Sequence, residues 1–283
     1  MNQPDAILCP RCKKLISSYL AECSHCGLPE PARQARMVKL MQVPSLVKSL
    51  LWANGILFGL SYLLPLVLYG QLSTGQGMFG LPSPPSVALA LLGWADPMQI
   101  LSGHYWLLVT ALFLHGGILH LVFNLLWIRD LGQMAEELFG PAVMLLIYLV
   151  SGVAGNLLAV WTPFLLEMAG FEARHAAILG ASGAVFGLLG AMIAFGNRLA
   201  HWQARAMAKQ FRTWAIVLIG LGFLIPGVSN AGHVGGFLGG YLLGRILPLR
   251  RQNPLLFNLL GLASLGVVLA SFAKVLQVHF FGG

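Results

Sequence analysis

The sequence predicts an all-α membrane protein that opens with a small cysteine-bearing segment. Three observations carry this expectation. Only 9% of the 283 residues are charged and 57% are apolar, whereas soluble domains are about a quarter charged. Stretches free of Lys, Arg, Asp and Glu recur along the chain at lengths suited to membrane helices. All four cysteines fall within the first 26 residues.

The cysteines form two knuckles, Cys9-Pro-Arg-Cys12 and Cys23-Ser-His-Cys26-Gly27. Two Cys-x-x-Cys pairs at this separation can supply four thiolates to one tetrahedral ion, so residues 1–34 are expected to be a zinc ribbon held by Cys9, Cys12, Cys23 and Cys26. Iron, redox chemistry and a metal-free tail are the alternatives. His25, between the ligands, is expected to be a bystander. Leu28 to Pro44, with prolines at 29 and 31 and the basic Arg33, Arg36 and Lys39, reads as a linker or an interfacial helix, and residues 35–50 are taken as the linker to the membrane core. Residues 1–48 lack the apolar run of a cleavable signal peptide, so this segment is expected to be retained.

A bilayer requires about 20 apolar residues per helical span. The charge-free runs are Ser49 to Ala95, Met98 to Ile128, Pro141 to Leu166, His175 to Asn197, Thr213 to Gly244 and Gln252 to Ala273. Within the first, Gln71 to Pro85 is rich in Gly, Ser, Pro and Thr and reads as a loop, leaving span 1 at about Leu51 to Gly70. Gly116 and Gly117 place the start of span 2 near Ile118, so Tyr105 to Leu114 becomes loop or re-entrant structure. Pro226 to Gly232 divides the fifth run into two short helices. Seven spans result, the last near residues 254–273 within a final segment of 250–283.

Basic residues orient them. With the N-terminus inside, fifteen of the 17 Lys and Arg residues lie on the inner side and only Arg174 and Lys274 lie outside, which predicts a cytoplasmic N-terminus and an external C-terminus. The thiols would then stay reduced. The net charge of +8 points to anionic headgroups of the lipid bilayer rather than to nucleic acid.

Polar side chains inside a membrane are costly, which makes them functional candidates. His120 and Asn124 are four apart on span 2, Ser182 lies in Gly180-Ala-Ser-Gly183 on span 4, and His233 lies in Ala231-Gly-His-Val-Gly-Gly236 on span 6. Spans 2, 4 and 6 run in the same direction from expected starts at Ile118, Ala176 and Ala231. His120, Ser182 and His233 therefore fall within roughly 10 Å of the outer helix ends. Gly232, Gly236, Gly240 and Gly244 repeat every four residues, as do Gly183 and Gly187, which lets spans 4 and 6 approach closely. Taken singly, a serine in such a helix ordinarily bonds its own carbonyls and a histidine ordinarily bridges helices. The set of polar groups also suits a transporter.

Together the motifs resemble those of the rhomboid intramembrane serine proteases. Gly180-Ala-Ser-Gly183 is similar to the family's Gly-x-Ser-Gly, Ala231 to Gly236 to its general-base helix, and His115-x4-His120-x3-Asn124 to its second-helix motif. Gly132-x3-Glu136-x3-Gly140 is similar to the segment that follows it. The resemblance implies a six-helix rhomboid core over residues 51–249, to which the C-terminal span adds a seventh transmembrane helix. One departure stands out: Leu107 follows Trp106 where the family commonly has Arg, which puts the geometry of loop 1 in doubt.

The resemblance further implies a serine endopeptidase with Ser182 as nucleophile and His233 as base, working without a catalytic cofactor. His120, Asn124 and the Ser182 N–H would hold the oxyanion, with His115, Gly180 and Gly183 in support. Substrates would be transmembrane proteins cut near the outer face, in a membrane that the compact chain suggests is a bacterial inner membrane. Glu136 is expected to tie a loop. A catalytically inactive rhomboid-like scaffold for transmembrane clients is the alternative; a transporter would need a polar route to both faces, which spans 4 and 6 lack. Substrate identity and oligomeric state are not encoded in any motif.

Overall fold

A computed structural model describes residues 6–12, 14–40, 45–70, 74–76, 80–247 and 254–280. The cysteine segment comes first, with strand β1 (Ala6–Leu8) pairing antiparallel to β2 (Leu15–Ser17), Ile7 opposite Ile16. Helix α1 (Pro31–Leu40) follows, so part of the expected linker is helical. Pro31 suits the first helical position, where its missing N–H costs nothing.

Helix α2 (Val47–Tyr69) is the first membrane helix and ends at Gly70 in the left-handed region. Its start lies four residues before the expected Leu51 because Glu136 caps it. The Glu136 Oε1 accepts from the N–H groups of Leu46 and Val47 at 2.6 and 3.1 Å, satisfying donors that have no partner within the helix. The expected role of Glu136 as a tie is thus what the geometry shows. Part of the Gln71 to Pro85 loop lies outside the described residues. The rest carries a short ribbon of β3 (Gly75–Gln76) with β4 (Pro82–Ser83).

Two short helices, α3 (Ser86–Leu91) and α4 (Pro97–Leu101), lead to α5 (Leu107–Thr110) and a 3-10 turn at Ala111–Phe113. This apolar piece meets helix α6 (Ile118–Phe139) at 93°. The glycines at 116 and 117 sit at the corner, so the re-entrant expectation for residues 105–114 agrees with the fold. Helices α7 (Pro141–Met168), α8 (Ser182–Arg198), α9 (Trp202–Gly222), α10 (Asn230–Ile246) and α11 (Pro254–Phe280) complete the chain.

All seven expected spans are helices, but among the described residues three (α2, α7 and α11) are long and apolar enough to cross a membrane by themselves. The bent pair of α5 and α6 would make a fourth. Helices α8 and α10 have 17 residues each, about 25 Å. Their shortness reflects their place. Helix α8 is buried along nearly its whole length between α6, α7, α9 and α10, and a helix enclosed by protein need not match the bilayer. Helix α11 rests on α7 and α5, with Gly261 against Ala142 and the Phe272 ring edge-on to Phe113 at 5.8 Å.

Two expected boundaries are corrected. Helix α8 begins at Ser182, not near Ala176, because residues 175–180 lie outside any helix, with Ile178 bridged to Ala95. Helix α9 begins at Trp202, eleven residues before the charge-free run opens at Thr213. Charge-free runs reflect apolar side chains, whether or not the backbone is helical.

Candidate active site

Ser182 is the first residue of α8, and the chain arrives there through a loop pinned by backbone bonds. Ile178 and Ala95 exchange N–H···O bonds of 2.9 Å each, and the Gly180 N–H donates to the Ala111 carbonyl at 2.9 Å. Gly180 has φ +121°, a conformation that side chains with a Cβ rarely adopt. A Cβ there would also meet the His120 ring at 2.7 Å. The glycine thus lets the chain turn into α8 while His120 lies against it.

His233 occupies the first turn of α10, whose start is capped by Ser229: its Oγ accepts from the Gly232 N–H at 3.1 Å. The Nε2 of His233 lies 2.9 Å from the Oγ of Ser182. Its ring is stacked on Phe186 with centroids 4.3 Å apart and planes 18° apart. Phe186 is four residues after Ser182 and shares its helix face, a spacing legible in the sequence. The Nδ1 of His233 is buried and has no hydrogen-bond partner among the described residues. No carboxylate orients the ring there; stacking does.

Three helices meet beneath this pair, at glycines. A Cβ on Gly236 would overlap the carbonyl of Gly183, and on Gly240 that of Gly187. The expected close approach of spans 4 and 6 is thus present. Helix α7 joins it, since a Cβ on Gly155 would lie 2.6 Å from the Gly232 carbonyl. That third participant was missed, although Gly152 and Gly155 of α7 were visible as a small-residue face.

The remaining candidates divide. His120, in the first turn of α6, brings its ring beside Gly180, and its Nδ1 faces the Gly116 N–H at 3.4 Å. Asn124 is buried, but its Nδ2 donates to the carbonyl of His120 at 2.8 Å; one amide N–H is thereby used within α6. His115 is only 1% exposed and packs edge-on against His120 with ring centroids 5.0 Å apart. It lies in the loop just before α6 and is buried there as a packing partner of His120. Ser182 heads a helix whose first N–H groups have no acceptor in the helix, and the positive end of the helix dipole points at its hydroxyl.

A profile of the Rhomboid domain matches residues 102–250, more than half of the 283 residues. The chain belongs to the rhomboid family. It is 33% identical over 168 residues to Rhomboid protease GluP of Bacillus subtilis (strain 168), covering 58% of this chain and 30% of that protein. It is 36% identical over 175 residues to RHOMBOID-like protein 5 of Arabidopsis thaliana, covering 60% and 52%. With Rhomboid-like protease 3 of Toxoplasma gondii it shares 34% over 165 residues, covering 56% and 58%. The chain therefore spans less than two thirds of the length of these relatives.

The fold also accounts for the departure at Leu107. In this rhomboid Leu107 is buried in a small apolar cluster with Ala95, Ile100, Ala111, Val160 and Val275. Gly93, at φ +92°, leaves the space in which Leu107 and Val275 of α11 meet. The seventh helix supplies an apolar anchor where an arginine was expected, and loop 1 is held by packing.

At the other end of the chain the four cysteine sulfurs lie within 4.8 Å of one another. The separations Cys9 to Cys26 and Cys12 to Cys23 are 3.7 Å. A disulfide would be about 2.05 Å long, whereas tetrahedral bonds of about 2.3 Å to one zinc space the sulfurs about 3.8 Å apart. Backbone N–H groups of Cys12 and Arg11 point at the Cys9 sulfur, and that of Leu28 at the Cys26 sulfur. The cluster fits a zinc-ribbon-like segment.

Proposed function

We propose that this rhomboid is an intramembrane serine endopeptidase in which Ser182 is the nucleophile and His233 the general base. The observation that carries the reading is the 2.9 Å contact between Ser182 Oγ and His233 Nε2, set among membrane helices at a helix N-terminus. As Oγ bonds to the substrate carbonyl carbon, its proton passes to Nε2. The tetrahedral intermediate then breaks its C–N bond and His233 returns the proton to the leaving amine. Water repeats the two transfers on the acyl-enzyme and frees Ser182.

The oxyanion would be met by the Ser182 N–H, by His120 and by the second N–H of Asn124, which the His120 carbonyl leaves free. Gly180 and Gly183 serve by being small, the one beneath His120 and the other against α10. His115 supports His120. The substrates are transmembrane helices of other proteins, cut near the outer face where small or helix-breaking residues allow the backbone to unwind.

A mechanism-based serine hydrolase probe, applied to the protein in detergent and followed by peptide mapping, tests the reading. Modification of Ser182 that is lost in His233→Ala is the expected result. Labelling at another serine, or none, would overturn it.

The core of the protease is assigned to residues 51–249, the ribbon to 1–34, the linker to 35–50 and the added helix to 250–283. In the ribbon Cys9, Cys12, Cys23 and Cys26 would bind one structural zinc, and no cofactor enters the chemistry. Metal analysis of the purified chain should find about one zinc per chain. Cys12→Ser should abolish it while Ser182 still takes the probe. Zinc content near zero in reduced wild-type protein would refute the assignment.

The orientation is proposed as ribbon inside and active site outside, from the distribution of Lys and Arg. Single cysteines placed at Gly75 and Arg174, in a background without the native four, should react with an impermeant reagent from outside. A cysteine at Arg205 should react only from inside. Labelling of 75 and 205 from one side would reverse the conclusion.

A further inference from the structure

The early start of α9 leaves three cations on one exposed face of that helix. Arg205, Lys209 and Arg212 are spaced by four and three residues and form one stripe. All three are exposed, and none has an ion-pair partner among the described residues. One turn further on, the same stripe reaches Ile216, which is 66% exposed. Trp202, also exposed, marks the inner end of the helix, where aromatic rings favour the headgroup level.

Neighbouring helices set the depth of this stripe. Arg198, at the end of α8, donates to the carbonyls of Gly244 and Leu247 at the end of α10, which levels those two helix ends. Helix α9 turns back from there, and Gly196 near the end of α8 lies against Ala204 and Ala208. Arg212, ten residues beyond Trp202, therefore stands about 15 Å along the helix from its inner end. Its side chain can reach back toward the headgroups only over part of that distance. Unpaired cations on such a face call for an anion at the protein's edge.

We propose that Arg205, Lys209 and Arg212 form a binding site for an anionic phospholipid, its phosphate among the three cations and its acyl chains along Ile216 and Phe223. Charge complementarity selects the headgroup, since three unpaired cations gain little from a zwitterionic lipid. The continuous exposed apolar face above them receives the chains. A soluble anion would satisfy only half of the surface.

The full-length protein in phosphatidylcholine bilayers, probed with spin-labelled lipids, provides the test. Immobilised lipid should prefer phosphatidylglycerol over phosphatidylcholine by about fivefold, the size of a single cation contact near a membrane surface. The preference should vanish in the R205Q/K209Q/R212Q triple variant and fall partway in R212Q alone, while R205K/R212K keeps it. Removing three cations of the ribbon instead (R11Q/K14Q/R33Q) should leave it unchanged. No preference in the wild type, or an equal loss from the ribbon variant, would overturn the site in favour of a diffuse surface potential. Labelling of Ser182 by the hydrolase probe reports folding of every variant, so failure of the lipid site is distinguishable from failure of the fold.

Discussion

Ser182→Ala and His233→Ala are each expected to remove cleavage of a reporter transmembrane substrate by on the order of 10⁵-fold or more, because neither group does useful chemistry alone. In the proposed mechanism a hydroxyl at 2.9 Å from an imidazole nitrogen is activated only while both are present. The double variant should therefore be no worse than either single one. Asn124→Ala removes one donor among several and should lower kcat by roughly 10² to 10³-fold, leaving measurable turnover. Phe186→Ala is expected to fall between these, since the ring that orients His233 is lost but both reacting atoms remain. Rates measured on purified protein in defined lipid decide the matter. If Ser182→Ala still cuts the substrate, the protease reading fails and a scaffold that binds transmembrane clients takes its place.

Gly240→Ala is expected to be among the most damaging one-methyl changes at the described glycines. The added carbon would overlap the carbonyl of Gly187 on α8, so the α8 and α10 backbones must separate or slide. Overpacking of this kind costs about 1–3 kcal/mol, and more where backbone rather than a flexible side chain opposes it. The same displacement carries His233 away from Ser182, because α10 moves as a rod. Stability and probe labelling should therefore fall together. Gly220→Ala on α9 is the matched control: nothing lies within 4 Å of its Cβ position, and the change should fall within about ±0.5 kcal/mol. Thermal unfolding of both variants in detergent, read beside labelling of Ser182, checks the comparison. Equal stability of the two would mean that α8 and α10 are not in backbone contact.

The lipid stripe and the buried pair show one balance at two sites. Near the N-terminal ends of α8 and α10 glycine removes side-chain bulk, so a hydroxyl and an imidazole on different helices can meet. On α9 the opposite holds, because long cationic side chains stand away from the bundle with no protein partner among the described residues. Polar groups in a membrane protein are satisfied either by enclosure or by reaching outward, and this chain does both on neighbouring helices.

Much of this was legible in the residues themselves. The cysteine knuckles, the apolar lengths of α2, α7 and α11, and the four-residue glycine spacing of α10 are local patterns, and local patterns follow from side-chain identity and helical period alone. His120, Ser182 and His233 were also recognisable, since charge-free surroundings make a polar side chain conspicuous and the motifs resemble a known set.

Other features were decided by tertiary contact. Residues 175–181 carry no Lys, Arg, Asp or Glu, so hydropathy counted them with α8. In the fold they form a loop in which Ile178 is bonded to Ala95 and Gly180 to Ala111, and Ser182 becomes the first residue of its helix. The start of α9 at Trp202, the right-angle turn before α6 and the burial of Leu107 under Val275 likewise depend on what packs nearby. A sequence records which side chains avoid water. Whether the avoided water is replaced by lipid, by another helix or by a folded-back loop is settled only when backbone hydrogen bonds find partners across the whole molecule.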